Sequence, residues 1–434
     1  MHDFHFADGQ LHCEGVALNT LAKKFGTPLY VYSQHTLTDH FQKLDTAMAP
    51  VDHLICFAVK SNSNLSVLRV LANAGSGFDI VSAGELQRVI AAGGNPRQCV
   101  FAGVGKTEKE IEFALRQQVY SFNCESEPEL VRINRVAARL KKVAPVAVRI
   151  NPNVEAHTHA KITTGTYENK FGIAFEQVEA IYARASRLKN LRLRGVQMHI
   201  GSQITETTPF EQAVKKVLPL VRKLKTKYAL EFFSVGGGLG IIYDPMLASG
   251  RPAWWHSAAA KNILTPASYA ARILPLLQPL GLKILMEPGR FISGNAGALL
   301  TRVEFVKRTG KKNFVIVDAA MNDLIRPAFY DAHHEIVPLV KKAGGGKAVA
   351  SDVVGPICES GDYFCKDRPL PKVGEGDHLA LLSAGAYGFV MASTYNTRPL
   401  AAEVLVNGKK FALVRERQPV KDIWAGEKVV AWLK

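Results

Sequence analysis

Thiols, long apolar runs and clustered charge are all scarce in this chain of 434 residues. Its six cysteines, Cys13, Cys56, Cys99, Cys124, Cys358 and Cys365, stand far apart and form no C-x-x-C pair, which argues against a disulfide framework or a structural zinc site. Although 47% of the residues are hydrophobic, no run reaches the roughly 18 apolar residues that a membrane span requires. The opening string M-H-D-F-H-F-A-D-G-Q has no basic stretch ahead of an apolar one, so no export signal is expected. A reducing cytoplasm is the expected location.

Charge is plentiful but dispersed. Lys and Arg number 54 against 38 Asp and Glu, a formal net charge of +16. The basic pairs at 141–142, 215–216, 311–312 and 341–342, and the string R-L-K-N-L-R-L-R at 187–194, are scattered among apolar positions as on solvated helix faces. No nucleic-acid module accompanies them, so neither nucleic acid nor a membrane is expected as a partner. The surplus reads instead as attraction for small anions such as phosphates and dicarboxylates. H-T-H at 157–159 has the look of a metal-binding pair, but no carboxylate or thiolate stands at a convincing spacing, and no metal is expected.

What the chain does have is a repeated rhythm. Short apolar runs recur at 53–59, 77–82, 99–103, 120–123, 145–151, 193–200, 231–236 and 283–287, separated by stretches with apolar spacing of three and four such as 82–92 and 107–116. Strand alternating with helix about eight times predicts an α/β fold, a (β/α)8 barrel, and the length leaves room for a second domain. After Gly289 the texture turns β-rich, at 299–307, 313–318, 378–383, 402–406 and 411–415, broken by Gly and Pro. The expected division is a barrel over 26–289 and an all-β domain over 290–434. The segment 1–25, whose H-F-A-D-G-Q-L-H resembles a hairpin, is expected to join the β-domain instead of the barrel. G-G-G at 344–346 reads as a loop tip.

Chemistry on such a barrel gathers at the carboxyl ends of its strands. The notable polar residues fall there: Lys60 after the first run, Asp79 in the second, Arg149 in the fifth, His199 in the sixth, Gly236, Gly237 and Gly238 at the seventh, Glu287 and Arg290 at the eighth. Lys60 either snorkels out of its strand or, desolvated, supplies a neutral amine able to form a Schiff base with an aldehyde cofactor. The glycines either make a tight turn or let backbone N–H groups approach a phosphate. His199 is either a satisfied structural residue or a flat surface for an aromatic ring. Glu287 is either a turn residue or the carboxylate that keeps a pyridine nitrogen protonated. Together they point to pyridoxal 5'-phosphate.

F-A-V-K around Lys60, H-I-G-S-Q (199–203), G-G-G (236–238) and E-P-G-R (287–290) resemble the signature of the fold-type III pyridoxal phosphate decarboxylases, and the match runs over nearly the whole chain. H-T-H-A-K-I-T-T-G (157–165), N-K-F-G-I (169–173), R-P-A-F-Y (326–330), G-P-I-C-E-S-G-D (355–362), G-A-Y-G-F (385–389) and Y-N-T-R-P (395–399) are similar to the diaminopimelate decarboxylases within that family. The resemblance implies a barrel of the alanine racemase type joined to a β-domain. It implies that Lys60 holds the cofactor, His199 stacks on its ring and Glu287 pairs with its nitrogen. Asp79 and Arg149 would support the ring and the lysine, while Ser202, Gly237, Gly238, Gly289, Arg290 and Tyr387 would hold the phosphate. Cys358 is implied as proton donor and Glu359 as its neighbour recognising an ammonium group, the two reaching across the interface of a homodimer.

A substrate for this reaction needs a far end. Binding energy from remote groups can set the leaving carboxylate perpendicular to the ring. Arg290, Arg326, Tyr330 and Tyr387 are implied on the substrate side, the arginines gripping a distal carboxylate while Glu359 takes the ammonium. Arg326 and Tyr330 read alone are equally well the rim of a β-domain turn. With the resemblance, the expected reaction is decarboxylation of meso-diaminopimelate to L-lysine and carbon dioxide, the last step of lysine biosynthesis. The nearest rivals are decarboxylases of ornithine, arginine, lysine or carboxynorspermidine. A racemase, with arginine at the ring nitrogen, fits less well than Glu287 does, and a non-catalytic cofactor carrier would leave the β-domain without purpose.

Overall fold

A computed structural model describes residues 2–154, 170–342 and 347–433. The H-T-H string at 157–159, the longer string 157–165 around it and the G-G-G at 344–346 lie outside the described residues. The chain forms two compact units: Leu37–Ile241 with Trp255–Ile292, and Met1–Thr36 with Ile242–Trp254 and Ser293–Lys434.

The first unit is the barrel. All eight apolar runs are strands, His53–Ala58, Gly77–Ile80, Cys99–Phe101, Ser121–Cys124, Ala144–Asn151, Leu191–Met198, Phe232–Ser234 and Lys283–Met286. Each pairs in parallel with the next, and the eighth pairs with the first, which closes the sheet. Helices return the chain between strands, and their starts are written in sequence. Ser82 and Ser126 accept N–H bonds at the starts of Ala83–Ala91 and Glu127–Arg139, and Thr107 makes a reciprocal capping box with Glu110 ahead of Glu108–Arg116.

Inside, the barrel fills in tiers drawn from alternate strands. Cys56, Val100, Ala147 and Phe232, from the first, third, fifth and seventh strands, belong to one apolar cluster. The second and sixth strands make room for it with glycine, a Cβ on Gly195 lying 2.6 Å from the Phe232 ring and one on Gly77 3.1 Å from Cys56 Sγ, while the eighth adds Leu285 to the cluster. Two residues further along each even strand, on the same face, stand Asp79, Asn123, Gln197 and Glu287. The tier nearer the strands' carboxyl ends is therefore polar.

The second unit is mostly β. Its sheet runs Tyr363–Leu370, Val349–Val354, Asn313–Val317, Gly297–Arg308, Leu29–Ser33, Ala402–Asn407, Lys410–Arg415, with His378–Leu381 pairing both Gly297–Arg308 and Ile336–Pro338. Gly297–Arg308 serves two sets of neighbours because a register shift between Val303 and Phe305 re-aims it. The N-terminal hairpin Phe4–Ala7 and Gln10–Cys13, turned at Asp8 and Gly9 with φ of 47° and 74°, contributes Phe4, Leu11 and Cys13 to this unit's core. Short helices Leu18–Phe25, Met246–Ser249 and Arg326–Tyr330 belong to the same unit.

A polar tier at the barrel mouth

Strand register decides which side chains meet. Ala58 pairs with Asp79 across the first two strands, and Lys60 lies two residues on, in the 3-10 turn Val59–Ser61. Its Nζ donates to Asp79 Oδ2, a carboxylate with only 1% of its side chain exposed, while 40% of the Lys60 side chain remains open. The amine is thus held at its root and accessible at its flank. Gln197 pairs with Arg149 on one side and Ser234 on the other, which sets these three at one level.

Glu287, just past the eighth strand and 6% exposed, collects bonds from that level. It accepts from Ser234 Oγ at 2.7 Å, Gln197 Nε2 at 2.9 Å and Asn123 Nδ2 at 3.2 Å. Burial, reinforced by the charge of Asp79, pushes its carboxyl up to about 7, against the pull of Ser234, Lys60 and Gln197. Asp79 Oδ1, Asn123 Oδ1 and Gln197 Oε1 are buried and, among the described residues, have no hydrogen-bond partner. Buried polar atoms left this way mark a site whose partners come from elsewhere. An aldehyde-bearing pyridine fits such a donor and acceptor set: an accessible amine for its carbon, a carboxylate for its nitrogen and polar oxygens between them.

His199 follows the sixth strand. Burial, with the cations Arg149 and Lys60, pushes its imidazole well below the usual range, so the ring is neutral. Its Nδ1 accepts from Gly237 N–H at 3.2 Å. The glycines beside it are required by close backbone approach: a Cβ on Gly237 would lie 2.2 Å from the Glu287 carbonyl oxygen, and one on Gly238, where φ is +105°, 2.5 Å from that of Gly201. Gly289 is packed against Ser61 in the same way, at 2.9 Å. Arg290, 7% exposed, donates to Ser202 Oγ at 3.3 Å.

Arg149 is itself held from behind. Its Nη1 donates to Glu125 Oε1 at 3.2 Å and its guanidinium lies 4.9 Å from the Phe171 ring. Glu125 also accepts from Gly103 and Gly172 N–H groups, and its own N–H donates to Glu129 Oε2 at 2.7 Å. Glu129 Oε1 takes Lys106 Nζ at 2.6 Å, and that amine, 1% exposed, also donates to the carbonyls of Gly103 and Asn123. The residues missed from sequence are thus Asn123, Gln197, Ser234, Glu125, Glu129 and Lys106. Glu85 joins them: it caps the start of Ala83–Ala91 by accepting from Val81 N–H, and burial pushes it up to about 7 despite Lys60 nearby.

The remaining candidates belong to the β unit. Arg326, 5% exposed, opens its helix, meets His334 Nε2 at 2.9 Å and lies 4.7 Å from the Tyr243 ring. His334 Nδ1 donates to the Leu382 carbonyl, which leaves Nε2 as the acceptor. Tyr330 ends the same helix with its ring against Phe329. Cys358 and Glu359 sit exposed on a loop organised by Asp362, whose carboxylate accepts from Ile357 N–H at 2.8 Å and Met321 N–H at 2.7 Å. Tyr387 adopts φ of 54°, a left-handed conformation that a side-chain-bearing residue takes up only when its surroundings enforce it. Among the described residues no group of three or more His, Cys, Asp or Glu is placed to hold a metal ion, and no helix is long and apolar enough to cross a membrane.

Residues 34–294 match the family described as pyridoxal-dependent decarboxylase, pyridoxal binding domain. The chain is 49% identical over 425 residues to the diaminopimelate decarboxylase of Vibrio cholerae, covering 98% of each. It is 49% identical over 434 residues to that of Pseudomonas aeruginosa, covering 99% of this chain and 100% of the relative. A structure of diaminopimelate decarboxylase from M. jannaschii in co-complex with L-lysine superposes with a TM-score of 0.91 at 35% identity, covering 100% of both chains. One from Helicobacter pylori complexed with L-lysine gives 0.87 at 39% identity, covering 94% of this chain and 98% of that one.

Proposed function

Since this chain belongs to the diaminopimelate decarboxylases, pyridoxal phosphate-dependent carboxy-lyases that release carbon dioxide from meso-diaminopimelate to leave L-lysine, we propose how its own side chains divide that work. Pyridoxal phosphate, when bound, supplies the sink for the electron pair left at the substrate α-carbon. Lys60 is the covalent anchor, and Asp79 positions its amine. Glu287 partners the ring nitrogen as a carboxylate and would keep that nitrogen protonated, while Ser234, Gln197 and Asn123 fix its two oxygens. Neutral His199 offers the ring a flat, uncharged surface, since a protonated imidazole there would oppose a cationic ring. Ser202, Gly237, Gly238, Gly289, Arg290 and Tyr387 bind the phosphate, and Arg149 supports the anchor.

Arg290, Arg326, Tyr330 and Tyr387 bind the substrate, with the arginines and Tyr330 on the distal carboxylate and Glu359 on the distal ammonium. Cys358 gives the α-carbon its proton. The Cys358–Glu359 pair serves the barrel of a partner subunit, which makes the working unit a homodimer.

The observation that carries this reading is the contact of Lys60 with Asp79, coupled through their charges to Glu287 in one buried tier. Carbon dioxide release is measured in parallel with diaminopimelate, ornithine, arginine and lysine. Diaminopimelate is expected to be turned over alone or at least about a hundredfold faster. Arg326→Ala should cut diaminopimelate turnover by about that factor and leave cofactor affinity unchanged. Ornithine turnover at the diaminopimelate rate, before and after that change, would redirect the assignment.

A further inference from the structure

The β unit holds a cavity that takes no part in this chemistry. It encloses about 610 Å³, a size typical of small-molecule sites. Phe6, Leu247, Val337 and Val373 give it apolar walls, and the first three pack against the unit's core. The backbone around it is pinned, with Leu11 N–H donating to the Leu339 carbonyl, Leu339 N–H to that of His378, and Lys341 N–H to that of Gly9. This is a shaped recess between fixed strands and turns.

Its charge is one-sided. Lys23, Arg251, Lys341, Lys342 and Lys372 line it against a single carboxylate, Asp377, and Lys342 Nζ already engages that carboxylate at 2.6 Å. Lys341 Nζ lies 4.0 Å from the centroid of Phe6, which places positive charge directly against the apolar wall. His378 lines the cavity too; burial pushes its imidazole down, with Arg302 and Lys23 acting in the same direction against the opposing carboxylates of Asp318 and Asp377. An exposed lysine contributes little alone. Several around one concavity with a low-dielectric wall repel one another and focus their field on its interior, and an anion there relieves both.

We infer that this cavity is a binding site for a small organic anion with an apolar body, its carboxylate, sulfonate or phosphate head met by Lys23, Arg251, Lys341 and Lys372 and its body laid against Phe6, Leu247, Val337 and Val373. None of these residues belongs to the proposed active site, so binding here is separate from turnover.

The test titrates holoenzyme with the fluorescent anion anilinonaphthalene sulfonate and, in parallel, with uncharged phenylnaphthylamine. The sulfonate is expected to saturate at one site per chain, to bind at least about tenfold tighter than the amine, and to be displaced by octanoate. Arg251→Glu combined with Lys372→Glu, both exposed side chains, should weaken the sulfonate about tenfold or more and leave the amine unchanged. Val373→Trp, which fills the recess, should weaken both dyes; if that variant does not fold, the charge-reversed pair decides. Diaminopimelate turnover of these variants stays at the wild-type rate, which keeps failure here distinct from failure of the active-site reading. Equal affinity for the two dyes, or sulfonate binding indifferent to charge reversal, overturns the inference.

Discussion

Glu287 stands among polar side chains yet out of water, and its proton affinity follows from that. In the cofactor-free chain its carboxyl is raised from 4.5 to about 7. Between those values the folded chain binds more protons than the unfolded one, so the stability this group contributes is complete below 4.5 and lost as the pH climbs through about 7. Glu287→Gln in the cofactor-free protein is expected to flatten the decline in unfolding free energy across that window, by up to about 3 kcal/mol. Urea unfolding at a series of pH values measures it, and parallel slopes in the two proteins would contradict it. In holoenzyme the same change should slow turnover about a hundredfold, as when one preorganised electrostatic partner is lost. Lys60 and Glu287 were legible in sequence because each ends an apolar run next to an unusual string. Asn123, Gln197 and Ser234 were hidden in plain sight: each interrupts an apolar run near the carboxyl end of a barrel strand, and alternation by two would have singled them out. Lys106 left no local trace, since only folding brings Glu129 to it.

At the scale of elements, the barrel announced itself because its strands are buried on both faces and read as continuous apolar runs. The β unit was harder. Tyr363–Leu370 carries K-D-R-P in its middle and shifts register twice against Val349–Val354, which erases the alternation a reader would seek. Leu29–Ser33, L-Y-V-Y-S, gave no sign in sequence of its place in this sheet, because both its neighbours lie hundreds of residues downstream. Two predictions belong to the loops that follow the barrel strands. Gly237→Ala forces the Glu287 carbonyl away and should raise the cofactor dissociation constant about tenfold or more, read by fluorescence titration. Lys106→Met strands the buried Glu129 and should cost about 3–5 kcal/mol of stability, whereas adding Glu129→Gln recovers much of it. Denaturant unfolding of the four proteins in the cycle gives the coupling, and additive losses would refute it.

On the scale of the whole molecule, the surplus of positive charge suits an anionic phosphate cofactor, and cations gather around the β-unit recess. The proposed homodimer makes its own prediction. Lys60→Ala and Cys358→Ala subunits, each inactive alone, should regain about a quarter of wild-type turnover when unfolded together and refolded, because random pairing restores one complete site in half of the dimers. No recovery in dimers shown to be mixed would place both residues of each site on one chain.

The sheet order of the β unit also sets a timetable. Leu29–Ser33 leaves the ribosome early but lies between Gly297–Arg308 and Ala402–Asn407. At translation rates of roughly 5–20 residues per second, this strand waits on the order of tens of seconds for its second neighbour, long after the last barrel strand has emerged. Nascent chains of this protein therefore carry a strand without either of its neighbours through most of their synthesis, and chaperones that shelter emerging polypeptides have a defined segment to guard.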